Sequence, residues 1–249
     1  MLILLPPSET KTPRADGAPT ALETLSFPGL TPARRTVLTA LAEVSAAPEA
    51  LDVLGVPASL AAEVARNTTV LDSPATPVGR LYTGVLYDAL DLSTLTGPAR
   101  RRANSWLVVV SAAYGALRMT DRVGGYRLAM DVDLPGVGRL GPWWRDRLAD
   151  QLTTAAGAGL VVDCRSTTYL PAWHPTGPVA RRWIRVLVPG ASHHAKHTRG
   201  LVARRLCREG SAARTPGALA TELADAFEVR LDPPTRPGRP WELQVTAPA

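Results

Sequence analysis

Two lysines stand out in a chain that otherwise takes its positive charge from arginine. Lys11 and Lys196 are the only lysines among 28 basic side chains. An amine can lose its proton, act as a base or form an imine with a carbonyl group, whereas a guanidinium stays protonated. Lys11 and Lys196 are therefore candidate catalytic residues, with Asp121 or Asp163 as a partner carboxylate. The alternative is that both are ordinary surface lysines.

The densest block of polar residues follows a continuous apolar run at 106–110, which predicts a buried strand. Functional groups in α/β sheets gather where strands end, so we expect the loop beyond Ser111 to bind a ligand. The alternative is that Arg118 and Asp121 form an internal ion pair and that Gly115 is only a turn. The predicted pocket residues are Ser111, Tyr114, Gly115 and Tyr169. The residues predicted to bind phosphate or nucleic acid in the first two-thirds of the chain are Lys11, Arg118, Tyr126 and Arg127.

A basic helix is predicted over residues 195–208. Its first lysine and arginine are one turn apart and share a face. Because the backbone N–H groups at a helix N-terminus already favour anions, we interpret this helix as phosphate-binding. The alternative is a helix whose charges face only solvent. The predicted phosphate-binding residues of this helix are Lys196, Arg199, Arg204 and Arg208.

Histidine spacing raises the question of a metal. His193 and His197 have the i, i+4 spacing of a helical ligand pair. No glutamate accompanies them as in hydrolytic zinc motifs, so we predict no metal site. The sequence also lacks a Walker loop, a strand followed by G-x-G-x-x-G and a nucleophile elbow, and we predict no cofactor. Asp131 and Asp133 alternate, which is more typical of a solvated strand face than of acid–base catalysis.

The elements that must position these residues alternate between strand and helix, which predicts one mixed α/β domain over 1–249. Its central sheet should be flanked by helices, with a helical segment at about 32–66. Strands are predicted at 2–5, 106–110, 126–130, 160–164 and 184–188, and edge strands at 227–231 and 242–245. The other predicted helices cover 80–92, 142–156 and 216–226.

Composition places the chain among ordinary globular proteins. A net charge of +6 and an isoelectric point near 9.9 make polyanions plausible partners. The alternative is a generally basic protein with no nucleic-acid partner. Two cysteines, Cys164 and Cys207, lie in apolar surroundings and indicate a reducing compartment. No stretch approaches the length of a membrane span, so we expect a cytoplasmic protein without a membrane partner.

Several blocks of the chain resemble the YaaA family of peroxide stress resistance proteins. The most specific is the run of Ser111, Tyr114-Gly115, Leu117-Arg118 and Asp121, followed by Tyr126-Arg127. Blocks elsewhere agree in order, so the resemblance covers nearly the whole chain. They are Met1 to Leu4 with Pro7 and Thr10, Tyr82-Thr83-Gly84, Val161-Val162-Asp163 leading to Tyr169, and Ala195-Lys196 with Arg199-Gly200-Leu201.

The resemblance implies a cytoplasmic protein that binds double-stranded or distorted DNA and limits oxidative damage by lowering free iron under peroxide. It also implies a compact α/β fold with a basic cleft and a helix-hairpin-helix element. The chain departs from the best-known branch at two positions. Glu9 stands where that branch has a lysine, and His197 stands where a second consecutive lysine is found.

A hairpin of this kind is approximated by the order of residues from Leu54 to Val64. Such hairpins hold phosphate with backbone N–H groups. Pro57 replaces the usual second glycine and removes one of those donors. The alternative is a helix-turn-helix that belongs to the core.

Three functions remain open at this point. The first is a non-enzymatic DNA-binding protein of the peroxide stress response. The second is a lysine-dependent enzyme that acts on a nucleobase, a nucleotide or damaged DNA, with aromatic residues forming the pocket for an extruded base. The third is a small-molecule or iron-related binding protein, with a small phosphorylated or nucleobase compound as a possible ligand, whose DNA affinity is incidental.

Overall fold

Leu2–Leu5 is apolar at every position, so the segment has no face that it can leave in water. In the computed structural model, which describes residues 1–190 and 192–247, these four residues are fully buried as strand β1. β1 lies between two parallel neighbours, β3 (Leu107–Ser111) and β8 (Val161–Asp163). The prediction that this segment is a strand buried on both faces is confirmed.

The central sheet has seven strands in the order β10-β11-β9-β8-β1-β3-β4. Strands β11, β9, β8, β1 and β3 are parallel, and each edge carries one antiparallel strand, so the predicted mixed sheet is confirmed. The remaining strands of this sheet are β4 (Gly115–Arg118), β9 (Trp183–Leu187), β10 (Glu228–Asp232) and β11 (Trp241–Thr246). Two small ladders join β2 (Thr76–Pro77) with β5 (Arg122–Val123), and β6 (Asp133–Leu134) with β7 (Gly138–Arg139).

Helices flank the sheet and join it into one compact domain. They are α1 (Thr31–Ser45), α2 (Ala50–Leu54), α3 (Ala61–Ala65), α4 (Val78–Leu81), α5 (Val85–Leu90), α6 (Gly97–Trp106), α7 (Leu140–Ala156), α8 (Gly177–Ala180), α9 (Ser192–Glu209) and α10 (Pro216–Ala224). Short 3-10 turns cover Leu22–Thr24, Pro28–Leu30, Ala58–Leu60, Arg66–Thr69, Leu92–Thr94 and Thr167–Ala172. No helix in the described ranges is both long and apolar enough to cross a membrane.

The strand predicted at 126–130 is not formed. The backbone of Arg127 pairs instead with the buried side chain of Asn67, whose amide donates to the Arg127 carbonyl and accepts from its N–H at 2.9 and 2.8 Å. A side-chain amide therefore takes the place of a neighbouring strand. Sequence periodicity cannot reveal such a partner, because Asn67 lies 60 residues earlier.

Three other boundaries differ from the prediction. β11 lies inside the sheet because it pairs with β9 as well as β10, whereas the sequence predicted an edge strand. The helix predicted at 80–92 is divided into α4 and α5 at Gly84, whose φ of 93° no helix accommodates. The loop expected after Ser111 returns at once as β4, with Gly115 at φ 72° against the Trp144 ring.

The helix-hairpin-helix element is not confirmed. Helix α2 ends at Leu54 with Gly55 in the left-handed conformation. The N–H groups of Gly55 and Val56 donate back to carbonyls of α2 at 3.1 and 3.0 Å. Since Pro57 has no N–H, the donors that a phosphate-binding hairpin would present at this turn are used or missing.

Helix α9 owes its position to a glycine that lets it approach α5 closely. A Cβ atom on Gly200 would lie 2.8 Å from the Ala89 Cβ and would also collide with the Leu86 carbonyl. Glycine is thus required here for close approach, in spite of its cost inside a helix. This packing holds the first turns of α9 against the carboxyl ends of the strands.

Replacing Gly200 with alanine is expected to destabilise the protein by about 1–3 kcal/mol, because the added methyl group must push α9 away from α5. The matched control is Gly217→Ala in α10, where the new Cβ meets nothing within 4 Å. There the better helix propensity of alanine should leave stability unchanged or raise it by up to about 1 kcal/mol. Urea denaturation of both variants measures the difference, and equal stability of the two would contradict the close-packing argument.

Candidate functional site

A large cleft opens where the parallel strands end. It has a volume of about 1000 Å³. Its walls come from the loop after β1, the α2 turn, the start of α5, residues 127–133, the turn after β8 and the first turns of α9. This placement follows the rule that ligand sites in α/β sheets form at the carboxyl ends of the strands.

The cleft carries both signs of charge. Among the described residues that line it, the cationic side chains are Lys11, Arg127, Lys196 and Arg199, and the carboxylates are Glu9, Asp131 and Asp133. His193, Ser166 and Thr167 add further polar groups. From the sequence, Asp131 and Asp133 are predicted to lie on a solvated strand face, and no site role is predicted for Glu9, Ser166 or Thr167. The signal that would have found Ser166 and Thr167 is their position just beyond β8.

Lys11 is held in the cleft wall by the loop that carries it. Its Nζ lies 2.8 Å from the Ser8 carbonyl oxygen and 3.4 Å from that of Glu9. The same nitrogen is 4.4 Å from the centre of the Tyr126 ring. The loop is fixed in turn, because Lys11 forms a β-bridge with Tyr82 and the Tyr87 hydroxyl donates to the Pro6 carbonyl at 2.7 Å.

The environment of Lys11 favours the neutral amine. Burial, and after it the nearby Arg127 guanidinium, lower the pKa of Lys11 to about 7. Glu63 and Glu9 act in the opposite direction. Both carboxylates are partly committed to Arg127, which contacts each of them at 3.5 Å. Near neutral pH a large fraction of Lys11 is therefore unprotonated, while an ordinary lysine is almost fully charged.

All five tyrosines of the chain lie around this loop. The Tyr126 hydroxyl is 3.0 Å from that of Tyr82 and 2.7 Å from the Ser111 hydroxyl, which accepts the Tyr114 N–H at 3.1 Å. Tyr87 and Tyr169 line the cleft itself. Burial raises the pKa of Tyr126 to about 12 and that of Tyr82 well above its usual value, so both stay protonated. Tyr82 and Tyr87 were not among the predicted pocket residues.

The predicted site residues divide into two groups by position. Those that line the main cleft are Lys11, Arg127, Tyr169, Lys196 and Arg199. Tyr126 lines an adjoining cavity of about 390 Å³ that shares Glu9, Thr10, Lys11 and Arg127 with the cleft. Ser111 and Tyr114 are fully buried behind it. Gly115 packs against Trp144 at the start of β4.

Arg118, Arg204 and Arg208 lie outside the cleft lining. Arg118 pairs in register with Val108, near the opposite end of β3 from Ser111, and donates to the Ser105 carbonyl. Arg204 donates to the carbonyls of Leu90 and Asp91, and Arg208 pairs with Glu209 at 2.7 Å. Lys196, in contrast, is exposed and has no ion-pair partner among the residues described.

Neither carboxylate proposed as a catalytic partner lines the cleft. Asp121 accepts the backbone N–H groups of Arg118 and Ser26 at 2.7 and 2.9 Å, and so shapes a loop. Asp163 is fully buried and accepts from the Arg165 guanidinium at 2.7 and 2.9 Å and from the Trp183 indole at 3.0 Å. Arg165 also donates to the Tyr169 carbonyl, which fixes the turn that carries Tyr169.

Metal-binding groups are sparse in the described ranges, 1–190 and 192–247. They contain no group of three or more histidine, cysteine, aspartate or glutamate side chains placed to hold a metal ion. The two cysteines are buried and unpaired, and burial raises the pKa of each thiol to about 12.

These features define an α/β protein with a strand-end cleft that joins the cations of α9 to a partly buried amine. A family model described as peroxide stress protein YaaA matches residues 1–229. The chain therefore belongs to the YaaA family of peroxide stress proteins, as its sequence blocks predicted. The family description supports a role in peroxide stress.

Several relatives match most of this length. A UPF0246 protein of Streptomyces coelicolor is 48% identical over 254 residues, which cover 98% of each chain. Another of Corynebacterium efficiens is 41% identical and covers 88% of this chain and 90% of its own. A third, of Corynebacterium glutamicum, is 38% identical and covers 86% and 88%.

Lys11 is expected to react with an acylating reagent in a pH-dependent way that its surroundings set. Because the neutral amine is the reactive form, the labelling rate of Lys11 should rise with a midpoint near pH 7 and level off above about pH 8. Peptide mass spectrometry after brief acetylation between pH 5 and 10 measures this rate. The exposed Lys196 serves as the internal reference. Parallel pH profiles for the two lysines would contradict the argument from burial.

Asp163→Asn is expected to destabilise the fold by about 3–5 kcal/mol, because Arg165 would then be a buried charge without its partner. Burial would raise the pKa of Asp163, but Arg165 and its hydrogen bonds hold it below the usual value. The contribution of Asp163 to stability is thus complete above about pH 5 and lost as the pH falls through the folded-state pKa. Thermal denaturation measures the loss.

The control for this prediction is Asp133→Asn, since Asp133 is exposed and its ion pair with Arg139 is long, at 3.9 Å. Its melting temperature should stay close to that of the unaltered protein. A stable Asp163→Asn variant would show that this carboxylate is not structural.

Proposed function

We propose that this protein is a cytoplasmic DNA-binding protein of the peroxide stress response, which binds double-stranded or distorted DNA and limits damage linked to free iron. Membership of the YaaA family supports the stress role. The part concerning iron rests on the family resemblance. The part concerning DNA rests on one observation, namely the exposed cationic start of α9 at the rim of the cleft.

The geometry of α9 supports phosphate binding at its first turns. Lys196 and Arg199 line the cleft one helical turn apart. Arg199 is half-buried, and its Nε donates to the Val186 carbonyl at 3.3 Å, which orients the guanidinium. Lys196 is exposed and is the freer of the two. A phosphate backbone that passes along this rim would neutralise both charges.

The later arginines of α9 contribute less to this proposal than the sequence suggested. Arg204 is engaged with the end of α5, and Asp91 lies 3.3 Å from its guanidinium. Arg208 shares Glu209 with Arg205. Cations that already have carboxylate partners gain less from a phosphate, since the existing pairs must be broken first. We therefore assign DNA contact to the first two turns of the helix.

Replacing Lys196 and Arg199 together with alanine should weaken binding to a short duplex about tenfold or more at low salt, since two charge-assisted contacts are lost. The dependence of log affinity on log salt concentration should become shallower by about 2. Fluorescence anisotropy of a labelled duplex between 50 and 200 mM salt measures both quantities.

The matched control replaces Arg101 and Arg236, which are exposed and lie outside the cleft, and lowers the net charge by the same two units. If the control pair weakens binding as much as the α9 pair, DNA contact follows from net charge and not from the cleft. If the unaltered protein shows no salt-dependent duplex binding, the proposal fails.

A second candidate function is favoured by the surroundings of Lys11. An amine that is largely neutral at pH 7 can act as a base or as a nucleophile toward a nucleobase, a nucleotide or damaged DNA. Its place in the same cleft as the α9 cations joins this chemistry to phosphate binding. The two functions are therefore compatible with a single site.

A further inference from the structure

The two hydrogen bonds of Lys11 match what a neutral amine offers. A neutral –NH₂ group has two N–H donors and one lone pair, whereas an ammonium has three donors and no lone pair. The carbonyls of Ser8 and Glu9, at 2.8 and 3.4 Å, account for both donors. The lone pair of the nitrogen then remains free. The nitrogen can use it to attack a molecule that enters the cleft.

The scaffold around Lys11 is rigid enough to hold a nucleophile. Thr12 donates its N–H to the Leu81 carbonyl at 2.9 Å, just beyond the bridge of Lys11 with Tyr82. The Tyr126 ring beneath the amine is fixed through its hydroxyl by Tyr82 and Ser111. A side chain positioned by its neighbours loses little freedom when it reacts.

The other side chains that line the cleft indicate which further chemical group the ligand must carry. Lys196 and Arg199 are on the wall formed by α9, and the hydroxyl-bearing residues Ser166 and Thr167 line the turn after β8. Cations together with hydroxyl groups suit a phosphate. The site thus offers an anion-binding wall and a nucleophilic nitrogen in one space.

We propose that Lys11 forms an imine with an aldehyde that carries a neighbouring phosphate. The inference rests on the proposed function, because the same cleft must bind the phosphate. The Lys11 nitrogen attacks the carbonyl carbon, and one nitrogen proton passes to the carbonyl oxygen to give a carbinolamine. The second nitrogen proton leaves with that hydroxyl group as water, and the C=N bond of the imine forms. One amine and one aldehyde yield one imine and one water, so no oxidant or reductant is required.

Two sources supply this chemistry. An abasic site in DNA has an open-chain aldehyde between two phosphates, and a free sugar phosphate has the same groups on a small molecule. Lys11 would react with both in the same way, because the carbon that it attacks is an aldehyde carbon in each. The size of the cleft, about 1000 Å³, accommodates either one.

Borohydride trapping on the full-length protein tests the proposal. One arm uses a labelled duplex with a single abasic site, and the other uses ribose 5-phosphate. Reduction should leave a covalent adduct that peptide mass spectrometry locates on Lys11, with a yield that rises through about pH 7. Lys11→Arg, which keeps a long basic side chain but removes the nucleophilic amine, should lower the yield at least tenfold. A thermal melt of this variant checks that it is folded.

The residue that carries the adduct in the unaltered protein decides between the outcomes. As a further check, the adduct in Lys196→Arg should still be found on Lys11. An adduct on Lys196 or on the Met1 amine, or no adduct with either probe, overturns the inference. Trapping of ribose 5-phosphate alone supports the imine and identifies free sugar phosphates as its source.

Binding of an intact duplex, measured in parallel on the same preparation, keeps this inference separate from the proposed function. Duplex binding without trapping removes only the role of Lys11. Trapping of ribose 5-phosphate without duplex binding removes only the DNA proposal.

Discussion

The burial of β1 on both faces is the constraint on which the rest of the structure depends. Four consecutive apolar residues, each with no exposed surface, must have parallel neighbours on both sides and helices above and below. Once β3 and β8 occupy those positions, the segments that follow the three strands leave the sheet at the same edge. The loop that carries Lys11, the hairpin after Ser111 and the turn that carries Tyr169 meet there for that reason.

Buried polar groups then fix these segments where apolar packing alone would leave them free. Asp163 and Arg165 form a fully buried pair whose remaining donors hold the turn after β8. Arg34 does the same for the hairpin, since its guanidinium donates to the carbonyls of Tyr114 and Ala116 at 3.0 and 2.8 Å. Burial lowers the pKa of Arg34 to about 10, which leaves it charged at neutral pH. Both arginines serve the shape of the cleft without lining it.

The cleft combines two electrostatic environments, one that attracts anions and one that favours a neutral amine. On the α9 side, Lys196 is exposed and Arg199 is half-buried, and these cationic side chains attract anions. On the β1 side, burial and the neighbouring Arg127 disfavour the charge on Lys11. Tyrosine side chains border the second environment: the hydroxyls of Tyr82 and Tyr126 pair with each other, and that of Tyr87 donates to the Pro6 carbonyl. Phosphate binding and reaction through an amine would both use this cleft. Membership of the YaaA family is consistent with a stress role for either function.

The sequence alone determined the fold class, the family and the end of the sheet at which polar residues gather, because apolar runs and the residues that follow them are local features. It also singled out Lys11 and Lys196 by residue type. Tertiary structure decided which charges are available, since ion pairs join residues far apart in the chain. Thus Arg127 pairs with Glu63, and Arg204 pairs with Asp91. The pKa of Lys11 is lowered by desolvation in the folded cleft wall and by Arg127, which lies far away in the chain, so no local pattern records it.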